Sequence, residues 1–189
     1  MMNFEIIALT GPKGSGKDTV ARMIVEQYEN VNTIAFADPI KKVINDLFEL
    51  DPKNNSWYDA FKRTDIQYQL PGVDQRSVAG RTLIREIGML MRGYDENQFK
   101  EYVVDRINSE EANIYIVTDV RFENEFQLMR DLDAKIIRVT RPDFDYDGHI
   151  TERGFADETV DFTIVNDGSL DALNTKTRLL VDKIMKERV

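Results

Sequence analysis

A chain of 189 residues with 42% apolar side chains can bury one substantial core, and two full domains would be cramped within it. With 34 acidic against 25 basic residues the formal net charge is −9, so no global field draws the protein onto nucleic acid or an anionic membrane. The absence of cysteine and the single histidine exclude a disulfide framework, a thiolate zinc site and a multi-histidine metal cage. Glu5 interrupts the apolar start, and neither a secretory signal nor a membrane-length apolar run is present, so a soluble intracellular protein is expected.

The chain opens on an apolar run, Ile6 to Leu9, of a length that suits a strand buried on both faces. Helical periodicity follows in Val20, Ile24, Val25 and Tyr28. A second short run, Thr33 to Phe36, leads to Asp38-Pro39, a capping residue followed by proline at the first helical position. Ile40, Val43, Ile44, Leu47 and Phe48 then continue as one helical face. From about 50 to 112 no strand signal is evident. Two helical patterns, Arg81 to Met91 and Gln98 to Asn108, follow polar turns such as Leu70-Pro71-Gly72, so this interval reads as a helical insert. The third run, Ile114 to Thr118, precedes a helix carrying Phe126, Met129 and Leu132, and the fourth is Lys135 to Val139. Residues from about 141 to 160 are acidic, aromatic and without aliphatic period, as in a surface loop or lid. The fifth run, Phe162 to Val165, is followed by Ser169, a helix cap, and by Leu173, Leu180, Ile184 and Met185. Strands alternating with helices predict an α/β fold with a mainly parallel five-stranded sheet between helical layers.

Between the first strand and first helix lies Gly11-Pro12-Lys13-Gly14-Ser15-Gly16-Lys17, which fits G-x-x-x-x-G-K in the context that motif requires. Its glycines permit a tight turn with amides aimed inward, the new helix adds its positive end, and Lys17 supplies a point charge for the β and γ phosphates. The serine or threonine that usually follows the lysine is Asp18 here, with Thr19 one place later. Magnesium is therefore expected to be held largely through nucleotide phosphates and water, with Asp18 either capping the helix or approaching the metal shell.

The acceptor is expected at the same carboxyl edge, where ligands gather in open α/β sheets. Lys41 lies just inside the helix that Asp38 opens, in reach of a second phosphate or simply on the surface. Asp119 ends an apolar strand, the layout in which a carboxylate reaches the metal's water shell or the acceptor. Arg121 and Glu125 follow it; their bland alternative is an i, i+4 surface pair worth about 0.5 kcal/mol at most. In the insert, Arg81, Arg85, Gly88 and Arg92 share one helical stripe, while Leu83, Ile87 and Leu90 form another face. Guanidinium groups there would fork onto a phosphate while a flat base or sugar approaches the Gly88 backbone; otherwise the stripe is a solvated basic face.

Together GPKGSGKDT at 11–19, FADPIK at 36–41, TDVRFENE at 118–125, VTRP at 139–142, HITE at 149–152 and IVNDGSL at 164–170 resemble the bacteriophage deoxynucleoside monophosphate kinases, in the same order across nearly the whole chain. The resemblance implies a three-layer P-loop NTPase fold with an acceptor-binding insert and a lid. It also implies transfer of the γ-phosphoryl of ATP, with Mg2+, to a deoxynucleoside monophosphate. Carried over, Gly11, Lys13, Gly14, Ser15, Gly16, Lys17, Asp18 and Thr19 would hold ATP. Asp119 and Arg121 would organise the acceptor and the transferring group, and Arg81 and Arg92 would belong to the acceptor insert. Arg141 would enter from the lid strand, with Arg138 and Arg153 as further candidates for that task, while Thr151 and Glu152 would help close the lid. Where the family often carries Gly-Thr-acid and a later tryptophan, this chain has Gly88-Met89-Leu90 and Phe99, which leaves base and sugar selection and the part of Trp57 open. His149 is expected as a lid contact or exposed side chain, since phosphoryl transfer needs alignment and positive charge more than a strong base. The expected partners are ATP and a deoxynucleoside monophosphate, with no nucleic acid and no membrane; a homodimer is one candidate assembly. The expected location is the cytoplasm, the host's if a phage encodes the chain.

Two rival readings share part of this pattern. Another small-molecule P-loop kinase, of the phosphomevalonate or dephospho-coenzyme A type, would have the same cradle and sheet. A nucleotide-binding regulatory module would have the cradle but no phosphate for the arginines of insert and lid.

Overall fold

The computed structural model describes residues 4–48, 60–68, 75–142 and 160–187. Within them the chain divides into two units, one of Met1–Phe36 with Lys100–Val189 and one of Ala37–Phe99.

The first unit is built on a five-stranded sheet in the order β2-β5-β1-β6-β7, with strands β1 (Glu5–Thr10), β2 (Val31–Ile34), β5 (Ile114–Val120), β6 (Lys135–Thr140) and β7 (Phe162–Val165). Every pairing in it is parallel, so all five strands end on one edge. Four of the five strands lie where the apolar runs place them. The second is shifted to Val31–Ile34, and Ala35 and Phe36, though buried, belong to the connection after it. Hydrophobicity marks burial, but the ladder with β5 ends at Ile34 opposite Val117, and the Phe36 amide bonds the Asp119 side chain instead.

Burial of both alternating sets of side chains explains why these strands read as continuous apolar runs. Ile7, Leu9, Ile116, Ile137 and Val139 pack with Val20, Met23 and Ile24 of helix α1 (Lys17–Gln27) and with Leu173, Val181 and Ile184 of helix α6 (Leu170–Glu187). The intervening Ala8, Tyr115, Val117 and Ile136 point to the opposite face and are equally buried. Outside the first cluster, the buried apolar side chains of this unit include Val103 and Ile107 of helix α4 (Gln98–Ser109) and Phe126 and Met129 of helix α5 (Glu123–Asp131). Ser169 caps α6 as its sequence context implies, its Oγ accepting from the Ala172 amide at 3.2 Å.

The second unit contains helix α2 (Asp38–Phe48), strands β3 (Asp65–Tyr68) and β4 (Arg76–Ala79), and helix α3 (Gly80–Tyr94). The two strands form an antiparallel ribbon, which corrects the reading of this interval as wholly helical. Their residues are mostly polar and exposed, so they lack the apolar alternation by which a half-buried strand announces itself. Phe48 and Phe61 meet with ring centroids 5.0 Å apart. On α3 Ile84 and Gly88 are buried, while Leu90, on the face it shares with Leu83 and Ile87, is 60% exposed. A Cβ added at Gly88 would stand 2.8 Å from the Ile40 Cδ1 of α2. The flexible end of the Ile40 side chain therefore packs against Gly88.

Among the described residues no helix is long and apolar enough to cross a membrane.

Candidate active site

The carboxyl edge of the sheet gathers the loop after β1, the end of β5, the end of β6 and the turn after β7. The loop after β1 carries its conformation in three glycines, with φ of 131° at Gly11, 76° at Gly14 and 110° at Gly16. All three lie in the left-handed region, where a Cβ is costly. At Gly11 a methyl group would overlap the carbonyl oxygen of Val139 on β6, so the loop presses backbone against backbone.

Gly16 is the N-cap of α1, which starts at Lys17. Lys17 is 6% exposed. Its Nζ donates to the carbonyls of Gly11 and Pro12, both at 2.7 Å, and so curls back across the mouth of the loop. Ser15 is 1% exposed, and its Oγ is buried without a hydrogen-bond partner among the described residues. Such an orphaned hydroxyl beside a confined ammonium and a helix N-terminus is chemically suited to an anion with several acceptor oxygens. Lys13 and Asp18 are exposed and Thr19 half-buried. Asp18 lies inside the first turn of α1. It is therefore not the cap residue, and its negative charge there complements the helix dipole.

At the next strand end, β5 carries an irregularity that periodicity does not reveal. Ala8 of β1 stands opposite Val117 and Thr10 opposite Val120, so β1 advances two residues while β5 advances three. The extra residue falls within Thr118–Asp119, and a bulge of this kind re-aims a side chain. Thr10 Oγ1 donates to the Val120 carbonyl at 2.9 Å, closing the bulge. Asp119 Oδ1 accepts from the Phe36 amide at 2.7 Å, which joins the end of β5 to the end of β2. One carboxylate oxygen thus orients the group at the edge.

Glu125 has a different position from that of a surface partner. It is 1% exposed, and its Oε2 accepts from the amides of Arg121 at 2.8 Å and Phe122 at 3.1 Å. This is the returning half of a capping box, and it fixes the backbone from which half-buried Arg121 projects. Glu125→Ala is expected to cost about 1–3 kcal/mol in urea unfolding because two amides lose a buried acceptor, with Glu125→Gln losing less. An unchanged midpoint for Glu125→Ala would remove this assignment.

Arg138 is half-buried on β6, and Arg141 is exposed just beyond it. Thr151, Glu152, His149, Arg153 and Trp57 lie outside the described residues, as does most of the expected lid. Within the second unit, Arg81, Arg85 and Arg92 are each half-buried along α3. The Arg92 guanidinium stacks 4.4 Å over the ring of Phe99. Lys41 Nζ pairs with Asp38 Oδ1 at 2.6 Å, so its ammonium already has a carboxylate partner one turn away.

A further contribution comes from the turn after β7, within the stretch IVNDGSL, in which the resemblance assigns Asn166 and Asp167 no individual role. Asn166 Nδ2 donates to the Ser15 carbonyl at 2.9 Å, and the Asn166 amide donates to Thr140 at 2.7 Å. Next to it, Lys176 Nζ binds Asp167 Oδ1 at 2.6 Å and the Val165 carbonyl at 2.8 Å. The hydrogen bond from Lys176 holds the Asp167 carboxyl below its ordinary value. In the sequence this turn belongs to IVNDGSL at 164–170, one of the stretches that carry the family resemblance.

The family model for deoxynucleotide monophosphate kinase matches residues 5–98 and 87–177. A protein of Acanthamoeba polyphaga mimivirus, described as a putative deoxynucleotide monophosphate kinase, is 27% identical over 154 residues, covering 72% of this chain and 74% of the relative. The deoxynucleotide monophosphate kinase of Enterobacteria phage T4 is 33% identical over 148 residues, covering 74% of this chain but only 58% of the phage protein. Among solved structures, dephospho-CoA kinase from Campylobacter jejuni superposes with a TM-score of 0.51 at 15% identity, covering 100% of both chains, a likeness of fold. The match to the family model spans most of the chain and includes both the glycine loop and the Asp119–Arg121 strand end. The chain belongs to the deoxynucleotide monophosphate kinase family.

Proposed function

We propose that this protein transfers the γ-phosphoryl group of ATP to a deoxynucleoside 5′-monophosphate, releasing ADP and the deoxynucleoside diphosphate. The observation that carries the reading is the buried Lys17 ammonium, held by two carbonyls inside a loop of left-handed glycines at the start of α1. Phosphoryl transfer asks a protein chiefly for alignment and for positive charge around a loose transition state. Lys17 and the amides of residues 13–19 are the groups of this chain suited to the β and γ phosphates.

Asp119, oriented by the Phe36 amide, and Arg121, on a backbone fixed by Glu125, are assigned to the acceptor and the transferring group. The acceptor's own phosphate is assigned to Arg81, Arg85 and Arg92, with Lys41 available once it leaves Asp38. Arg141 would add charge from the end of β6. Among the described residues no cluster of three or more His, Cys, Asp or Glu is placed to hold a metal ion. Magnesium is accordingly proposed to arrive on the nucleotide, with Asp119 or exposed Asp18 reaching it through water. When bound, it would neutralise charge on the phosphates. The net charge of −9 supports small-molecule partners over nucleic acid.

An ADP-release assay against the four common deoxynucleoside monophosphates, the matching ribonucleotides and dephospho-coenzyme A tests the assignment. Turnover with at least one deoxynucleotide is expected, and turnover with dephospho-coenzyme A alone would displace it. Arg81→Ala and Arg121→Ala are each expected to raise acceptor KM or lower kcat so that kcat/KM falls about 10- to 100-fold, the size of a lost charge-assisted contact. If both variants kept wild-type acceptor kinetics, the acceptor site would lie elsewhere.

A further inference from the structure

We propose that Asn166 is a positioning residue of the phosphate loop: by holding the Ser15 carbonyl, its carboxamide turns the Gly16 N–H toward the donor phosphates. The inference rests on the reading of residues 11–17 as the cradle for those phosphates.

The argument begins with a peptide plane. No peptide bond among the described residues is cis, so the Ser15–Gly16 unit is trans, and in a trans unit the C=O and N–H point in opposite directions. Asn166 Nδ2 draws the Ser15 carbonyl to one side at 2.9 Å. Only the NH2 half of the carboxamide can face a carbonyl, so the orientation of the side chain is determined. The Gly16 N–H must then point to the other side. Gly16 is the N-cap of α1, its carbonyl accepts from the Val20 amide at 2.9 Å, and its own N–H meets no acceptor among the described residues. This leaves a fixed donor at a helix start, where a ligand oxygen is the natural acceptor.

Asn166 is itself anchored. Its amide is bonded to Thr140 on β6, and the Lys176 ammonium bridges Asp167 and the Val165 carbonyl on either side of it. Space at the contact is matched as well: a Cβ at Gly16 would stand 2.7 Å from Asn166 Nδ2. Gly16 therefore serves two ends, adopting φ of 110° and leaving room for the carboxamide. With a smaller side chain at 166 the Ser15–Gly16 plane is free to rotate, and the donor must be reordered whenever phosphate binds.

The test compares ligands with and without phosphates on the full chain, using calorimetric titration of ADP, inorganic tripolyphosphate and adenosine, together with steady-state kinetics. Asn166→Ala is expected to weaken ADP and tripolyphosphate about fivefold, the scale of one lost hydrogen bond. Asn166→Asp keeps the shape but sets a carboxylate against the Ser15 carbonyl and the phosphates, so tenfold or more is expected. Adenosine affinity and the KM of the acceptor are expected to stay within twofold of wild type. Equal losses for adenosine and ADP would make Asn166 a base contact and overturn the proposal, as would ADP binding unchanged in both variants. In the unsubstituted protein, the Gly16 amide proton should shift downfield on saturation with ADP, and a silent resonance would overturn the proposal even if neither variant folds. Wild-type protein that binds neither ADP nor tripolyphosphate would instead defeat the cradle reading, and this inference with it.

Discussion

Lys17→Ala is expected to lower kcat by about 10²- to 10³-fold, the usual loss when one preorganised charge is removed from a developing transition state. The side chain is 6% exposed, and its ammonium is held at 2.7 Å by each of two loop carbonyls, so charge is already concentrated and largely dehydrated at the mouth of the cradle. Phosphate oxygens would compete for an ammonium whose position is set in advance, and little reorganisation is required. Folding should survive the substitution. Gly11 and Pro12 are half-buried, so water can take over their carbonyls, and removing a confined charge relieves its desolvation. The check is a coupled ADP-release assay beside a thermal melt. Activity within threefold of wild type in a folded Lys17→Ala protein would show that the phosphates bind elsewhere.

Gly11→Ala is expected to act on the fold as well as the site. Its φ of 131° belongs to a region L side chains rarely adopt, and the new methyl would overlap the Val139 carbonyl oxygen. Backbone cannot yield as a flexible side chain would. Val139 sits in β6 between its neighbours β1 and β7, paired with Ile164, so displacing its carbonyl disturbs the inner ladders of the sheet. Strained φ costs about 1–3 kcal/mol and overpacking a similar amount. The sum, about 2–6 kcal/mol, is a large fraction of the stability of an ordinary domain and should lower Tm by roughly 5–20 °C. Gly93→Ala supplies the contrast, since nothing lies within 4 Å of its added Cβ and helix propensity favours the change by about 0.5–1 kcal/mol. A Gly11→Ala protein as stable as wild type would mean that the loop does not press on β6 as described.

These two residues also mark where local pattern suffices. The glycine loop is contiguous: strand, turn and helix follow one another within twenty-odd residues, and each glycine acts on its own φ. The same locality made four strands legible from runs of Ile, Val and Leu and the cap at Ser169 legible from its place before Leu170. Polar strands have no such signature, and the ribbon Asp65–Tyr68 with Arg76–Ala79 exists through its pairing alone. Helical wheels were equally blind at α3. Gly88 and the arginines share a stripe in projection, but that Ile40, a residue 48 positions earlier, packs against Gly88 is not visible on a wheel.

By itself the sequence determined the parallel α/β architecture and the glycine loop around Lys17, because these depend on local backbone geometry and hydrophobic periodicity, and its ordered motifs carried the resemblance to a family of nucleotide kinases. Tertiary structure alone decided which long-range partners finish the site. Asn166 reaches the Ser15 carbonyl across 151 positions, Asp119 takes the Phe36 amide across 83, and a bulge in β5 sets the angle of that carboxylate. Contacts of this kind are specified by how strands end side by side on one edge of a sheet, and no window of neighbouring residues contains that information.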